Sequence, residues 1–463
     1  MNSIGKILLL GVLIYGLSAC SRKDFLDEKP NSGILNPSSL NDVQKLLDNS
    51  VMNNLSSGLA QMAADEYDVD YQGWEAATVI ERNSYIWAKD IYEGTPQIRD
   101  WNSPFSAVFY ANNALEILNG LKQQKAKGSD YYNNVLGQAL FKRAFANYEL
   151  LRSFCKSYDA NTAATDLGIP IRRNAGIDEI VQRANLADSY SHILSDLQEA
   201  ALLLPKERLN NNLFRPTRVA TYALLARIYL DMGIYKQAGK YADSTLNSYR
   251  TLIDYNKVSA TSLTPFSIAN DELIYNVTTV GLYYFSSLGS LPRPYRVSKD
   301  LINLYDRDDL RLQIFFISDN EGSYVMKRGY YGAGAYPFTG LATDEIYLIK
   351  AECLARDGKD NEALMMVWQV LKNRYRTGKA PAIAELAQEG KALDLVLRER
   401  RKELVWRCLR WNDLKRLNRD GYNITLRRNL GDGQYILGPN DPRYVFPIPQ
   451  DEIDYSGIQQ NER

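Results

Sequence analysis

The chain has 463 residues, 45% of them hydrophobic and 24% charged, and its 55 lysines and arginines are matched by 55 aspartates and glutamates. That size exceeds what one hydrophobic core usually organises, so it predicts two or three domains or one elongated array. The balanced charge leaves no net field to draw in a polyanion, which sets nucleic acid aside as a partner.

At the N-terminus, Lys6 gives a positive start, Ile7 to Leu17 form an uncharged run of 11 residues, and small Ser18 and Ala19 precede Cys20. A membrane-spanning helix needs ~20 apolar residues, so residues 1–19 are expected to be an export signal rather than an anchor helix. Leu17-Ser18-Ala19-Cys20 resembles a bacterial lipobox, in which the thiol is lipidated and the chain is cut just before it. Cys20 is then the expected lipid-bearing first residue, and residues 20–35, polar and ending near Pro30 to Gly33, are its tether. An ordinary secretory signal followed by an incidental cysteine is the alternative.

Residues 36–260 are expected to form an N-terminal region of helix hairpins, and residues 261–463 a C-terminal region with an insertion and the final hairpins. From Asp65 to Trp101 and from Thr264 to Phe338 helical periodicity fades while Gly, Pro, Asn and aromatics accumulate, which predicts loops and short strands. Trp101 precedes a helix expected to begin near Ser103. Leu136, Leu140, Ala144, Tyr148 and Leu151 mark another long helix. His192 is the one histidine; the apolar stripe at Tyr190, Ile193, Leu194, Leu197, Ala201 and Leu204 leaves it off the buried face, so it is expected at the surface.

A repeat sets the architecture. In ALLARIYLDMGIYKQA, residues 223–238, Ala226, Tyr229, Gly233, Tyr235 and Ala238 fall where a tetratricopeptide hairpin places its small, large, turn, aromatic and small residues. Ala351, Leu354, Gly358 and Ala363 take the same spacings 125 residues later. The prediction is an all-α dominated fold of three or four stacked tetratricopeptide-like hairpins with long irregular insertions containing short strands.

Chemistry has few candidates. Beyond Cys20, Cys155, Cys353 and Cys408 are odd in number and lack CxxC spacing, so they read as small buried hydrophobes, with one disulfide among them as the alternative. One histidine cannot build a His-rich zinc site, and any histidine-based triad would have to run through His192. The acids at Asp65 to Asp70 lack the glycine-centred loop of about 12 residues that marks a calcium site. No acid pair stands out for glycoside hydrolysis. No catalytic residue, cofactor or metal is expected.

RRKELVWRCLRWNDLKRL, residues 400–417, resembles the C-terminal pattern of the SusD/RagB family of Bacteroidetes surface lipoproteins: Arg401, Glu403, Leu404, Arg410, Trp411, Asp413, Leu414 and Arg416 fit. Arg407 stands where the family usually has Glu, and Cys408 where it usually has Gly. The lipobox followed by DFLDEKP, LGIPI at 167–171, the two hairpins and YVFPIPQDEI at 444–453 extend the resemblance over nearly the whole mature chain. It implies a non-catalytic, lipid-anchored receptor on the outer face of the outer membrane, with a motif whose role is structural. Such a receptor captures oligosaccharide, or peptide as RagB-like members do, for a SusC-like TonB-dependent transporter. A tetratricopeptide scaffold would not need the aromatic insertions or the FPIP ending, and a surface glycoside hydrolase should present a compact catalytic domain with an acid pair. Within the motif, charges three and four residues apart are expected to pair along one helix.

Sugars offer apolar CH faces ringed by hydroxyls, and 32 tyrosines against 13 phenylalanines favour the aromatic that suits half-wet surfaces. The dense clusters lie in the insertions. Tyr71, Trp74, Tyr283, Tyr284, Tyr295, Arg296, Tyr330 and Tyr331 are the candidate ligand-binding residues, while Trp368, Trp406 and Trp411, within helical patterns, are assigned to packing. Cys20→Ala is expected to abolish incorporation of radiolabelled palmitate in the native host; label retained in that variant would remove the anchor.

Overall fold

The computed structural model describes residues 39–463 except 122–128, 177, 282, 289–294, 320–321 and 333; the signal, Cys20 and the tether lie outside the described residues. Among the described residues the chain forms 17 α-helices and 12 short strands, the helix-dominated architecture with stranded insertions that the sequence predicts. The long helices are α1 (Arg99–Leu121), α2 (Asp130–Phe154), α3 (Leu186–Leu203), α4 (Arg218–Asp231), α5 (Tyr235–Ser248), α6 (Thr343–Arg356), α7 (Asp360–Leu371), α8 (Ala392–Glu403) and α9 (Arg410–Arg419). No helix among the described residues is long and apolar enough to cross a membrane.

Small residues shape the repeats, which form the hairpins α4–α5 and α6–α7. Gly233 and Gly358 sit at φ +74° and +73°, a left-handed turn that glycine makes without steric cost. Ala226, Ala238, Ala351 and Ala363 are fully buried and let paired helices approach closely. The two hairpins stack through α5 and α6, where a Cβ on Gly239 would lie only 3.3 Å from Cys353 Cβ. Helix α1 pairs with α2, α3 lies along α2, and α8 packs on both α6 and α7. One core runs from Val43 to Ile458, and a smaller one fills the α6–α7–α8 contact. Trp406 and Trp411 are buried in packing contacts, Trp368 packs on the smaller core, and Cys155, Cys353 and Cys408 are buried free thiols.

The insertions are sewn to one another. Residues 67–69 pair antiparallel with 295–297, and 54–56 pair in parallel with 278–279. Residues 65–101 hold more helix than expected, with short helices at Tyr71–Glu75 and Val79–Tyr85. Caps start both: the Asp70 side chain accepts from Gly73 N at 2.7 Å, and Thr78 with Glu81 forms a capping box. Helices of one or two turns are too short to display a period. Helix α1 begins at Arg99, ahead of Ser103, and Trp101 turns inward with its Nε1 donating to Glu452 at 3.2 Å.

His192 is buried, not solvated. The face that α3 turns inward is wider than its apolar stripe, because Asp196, one turn from His192, receives a two-pronged contact from Arg143 of α2 at 2.8 Å. A polar contact of this kind leaves no mark in a hydrophobic pattern.

The motif charges also pair differently from their spacing. Helix α8 ends at Glu403 and α9 starts at Arg410, with Trp406 and Cys408 in the turn at φ +60° and +54°; Trp406 therefore packs from a turn, not from a helix. Glu403 accepts from Arg311 and Arg374, Arg401 and Arg410 share Asp65, and Arg416 reaches Glu352. Of the expected same-helix contacts, Asp413 with Arg416 forms. Arg407 makes a two-pronged contact with buried Asp344 and lies 3.8 Å over the Tyr330 ring.

Arg407→Glu, which restores the residue usual in the resembled pattern, would set a carboxylate against Asp344 and its neighbours Glu272 and Glu403. A buried charge left against like charges is expected to cost about 3–5 kcal/mol, read as a lower urea midpoint; an unchanged midpoint would contradict the role given to this pair. The pH dependence has two limbs. Burial alone would raise the Asp309 and Asp413 carboxyls, but Arg311 with Lys402, and Arg400 with Arg416, outweigh it and hold both at about 2. Their contribution is fully present above the ordinary 3.8 and is lost as the pH falls toward 2. Glu66 is the reverse: burial pushes it from 4.5 up to about 7, so its contribution is present below 4.5 and lost as the pH rises through 7. Urea titration is expected to show stability lost as the pH falls below 3.8. Glu66→Gln is expected to lessen the decline between pH 4.5 and 7, which Glu272, also pushed up by burial, shares, while sparing the acid limb.

Candidate ligand-binding surface

The eight candidate residues separate into an exposed set and a packed set. Tyr71 is 49% exposed and Tyr284 51%, and Trp74 is half-buried. The Asp70 cap turns the chain into the short helix that carries Tyr71 and Trp74, whose ring centroids lie 5.8 Å apart at 40°. Trp74 Nε1 donates to the Arg82 carbonyl at 3.1 Å, and the Arg82 guanidinium lies 5.8 Å from the Trp74 ring. Tyr71 leans on the tip of the C-terminal hairpin (strands 426–430 and 433–437), where Gly431 at φ +57° would place a Cβ 3.1 Å from the ring.

Tyr284 is carried by a segment anchored to the same neighbourhood. Phe285 N donates to Glu81 Oε1 at 3.2 Å, tying residues 283–285 to the Val79–Tyr85 helix, whose Arg82 carbonyl accepts from Trp74. Tyr283 is half-buried; its hydroxyl donates at 2.5 Å to Asp100, which also accepts from Ser57 Oγ and Leu59 N. A Cβ on Gly58 would come within 2.5 Å of its ring. Tyr283 is thus a pin that holds its exposed neighbour in place. Tyr331 is half-buried with its ring 6.0 Å from Phe338.

Tyr295 and Tyr330 belong to the core, and this corrects their assignment to a ligand surface. Tyr295 is fully buried, its ring 4.9 Å from Trp406 and its hydroxyl donating to the Ser287 carbonyl at 2.8 Å. Strand alternation explains the pair Tyr295 and Arg296: in 295–297 the outer two residues point inward and Arg296 points out, where it meets Asp319 at 3.2 Å. The Tyr330 hydroxyl donates to Glu272 beneath Arg407. Both tyrosines find internal partners for their hydroxyls, so burial leaves nothing polar unpaired.

Two concavities lie on segments that also carry or back candidate residues. A cleft of about 630 Å³ lies between residues 67–68, 296–303, 322–324 and the base of the C-terminal hairpin at 425–428. Its edge carries Asp65, held well below the usual carboxylate range by Arg410 and Arg401 in spite of burial. Sequence reasoning missed a second cleft of about 400 Å³ along α1, where Phe105, Phe109 and Tyr110 meet Asn112 and Arg172; helical periodicity masks it, since aromatics at helical spacing read as packing. Glu272, Asp344 and Glu403 bring carboxylate oxygens within 4.8 Å of one another, the closest approach to a metal-ligand set among the described residues. Arg374 and Arg407 occupy those oxygens, so guanidinium charge stands where a cation would sit.

Residues 24–230 match a family model described as starch-binding associating with outer membrane, and residues 327–462 match the SusD family model. The chain is 22% identical over 418 residues to SusD-like protein P2 of Formosa agariphila, covering 76% of this chain and 77% of that protein. Among solved structures, a SusD superfamily protein of Bacteroides thetaiotaomicron superposes with a TM-score of 0.73 at 22% identity, covering 92% of this chain and all of the other. A putative sugar binding protein of Bacteroides vulgatus superposes with a TM-score of 0.69 at 21% identity, covering 92% and 98%.

Proposed function

Because this chain belongs to the SusD/RagB family, we propose that it is a cell-surface receptor that binds oligosaccharide without cleaving it and passes it to a SusC-like TonB-dependent transporter. The single observation that carries the binding step is the half-wet ring set Tyr71, Trp74 and Tyr284, presented by segments that both rest on the helix at Val79–Tyr85. A flat, exposed aromatic face offers dispersion contact to the CH face of a sugar while its polar edge stays hydrated. A matching family described as starch-binding and a structural neighbour named as a putative sugar binding protein support the same reading.

Rigidity suits this task. Tyr71 is backed by Gly431, Trp74 by its bond to the Arg82 carbonyl, and Tyr284 by the Tyr283 pin, so little conformational freedom remains to be lost on binding. In this proposal Cys20 carries the lipid, and residues 20–35 let the body swing over its transporter at high local concentration.

Affinity electrophoresis of the purified protein in gels containing a panel of neutral and acidic polysaccharides tests the proposal. Retardation by at least one glycan is expected, with no reducing ends released. Trp74→Ala, and Tyr71→Ala with Tyr284→Ala, are expected to weaken binding about tenfold, while Tyr295→Phe leaves it unchanged. Affinity that survives loss of all three rings removes the platform; retention of peptides but no glycan would turn the protein into a peptide receptor.

A further inference from the structure

We infer that the cleft beside the ring set selects saccharides bearing carboxylate or sulfate groups. The inference rests on the glycan-receptor reading above and adds the charge class of the ligand. Five basic side chains line the cleft against three acidic ones, and with Arg296 already paired to Asp319 four still face three, in a chain whose total charge is zero. The excess is local and built in.

Two arginines supply most of it, Arg428 buried and Arg401 half-buried. Arg428 donates to the carbonyls of Ala64 at 2.5 Å and Tyr85 at 2.6 Å and lies 3.6 Å over the Tyr85 ring. Carbonyls and ring faces satisfy its N–H groups without cancelling its charge, and among the described residues no carboxylate comes within ion-pair distance of it. Arg401 must share Asp65 with Arg410: Arg410 takes both carboxylate oxygens at 2.7 and 2.9 Å, and Arg401 has one contact at 3.2 Å. Two guanidinium groups on one carboxylate leave one positive charge over. The Arg401 Nε is buried with no hydrogen-bond partner.

At the rim, Lys299 and Arg427 are exposed, and among the described residues neither forms an ion pair. The acids Asp68 and Asp300 share the rim, and Asp65 is already committed. A neutral sugar would leave this charge facing water. A carboxylate or sulfate satisfies it, and the planar guanidinium fork matches either group.

The cleft and the rings are carried by the same two chain segments. Tyr67 and Asp68 line it, and Asp70 then starts the helix of Tyr71 and Trp74; Leu426 to Arg428 line it, and Gly431 of the same hairpin backs Tyr71. One saccharide chain can therefore lay a CH face on the rings and an acidic substituent in the cleft.

Calorimetry on the purified full chain with oligogalacturonate, its carboxyl-reduced neutral counterpart, a sulfated galactan oligosaccharide and poly-L-glutamate tests this. At least one of the two acidic saccharides is expected to bind at least about tenfold tighter than the neutral one and to weaken with added salt; which of them wins separates carboxylate from sulfate. Lys299→Gln with Arg427→Gln, both exposed and outside the packed network, is expected to weaken acidic binding about three- to tenfold and leave neutral binding alone. Arg401→Gln should remove more. Equal binding of the acidic and neutral saccharides overturns the inference and leaves the glycan reading standing. Poly-L-glutamate binding as tightly as the acidic saccharides overturns it in favour of an acidic peptide. Failure of every saccharide, here and in the gels, removes both.

Discussion

Buried contacts between guanidinium and carboxylate groups hold the insertions against the helix pairs. Arg374, just past α7, donates to Glu272 in the second insertion, to Glu403 at the end of α8 and to the Ile253 carbonyl. Arg227 of α4 donates to Glu345 of α6 and to the Gly340 carbonyl. Arg311 joins Asp309, Glu399 and Glu403. Taking such charges out of water costs several kcal/mol each, and mutual attraction offsets this only when every group keeps its partners. A slip of one insertion would strand a charge inside, so the network acts as a constraint on register more than as a source of net stability.

The ligand surface inherits its shape from that constraint. Asp65, gripped by Arg401 and Arg410, fixes the start of the strand that becomes one wall of the cleft, and the next residue, Glu66, accepts from the Trp406 backbone in the turn between α8 and α9. Trp406 in turn packs on Tyr67 and Tyr295, the strand pair beneath the cleft. A chain of contacts thus runs from the C-terminal motif to the strand pair beneath the cleft. Arg401 apart, whose surplus charge faces the cleft, the motif's charged residues are structural in this sense: they place the surface and take no part in the proposed contact with ligand.

The sequence shows its own reading where the determinant is local. Gly233 and Gly358 at turn positions, alanines at hairpin spacings and the family-like run at 400–417 are enough to predict paired helices, because helix closure and close helix approach depend on residues a few positions apart. The aromatic clusters were legible too, as clusters. Their division was not: Tyr284 and Tyr295 look alike along the chain, yet one is half in water and the other lies under Trp406. His192 fails for the same reason, since its burial comes from the polar Arg143–Asp196 contact with another helix.

By itself, then, the sequence determined the helical repeat, the turns, the concentration of rings in two insertions and the likeness to one family, all of which follow from spacing along the backbone. Tertiary structure alone decided which rings reach the surface, which arginines lack a carboxylate and where the cleft opens. Those outcomes depend on partners as far apart as Asp65 and Arg410 or Arg428 and Tyr85. Net charge summed over a chain is blind to them, because an ion pair cancels charge only where two side chains meet.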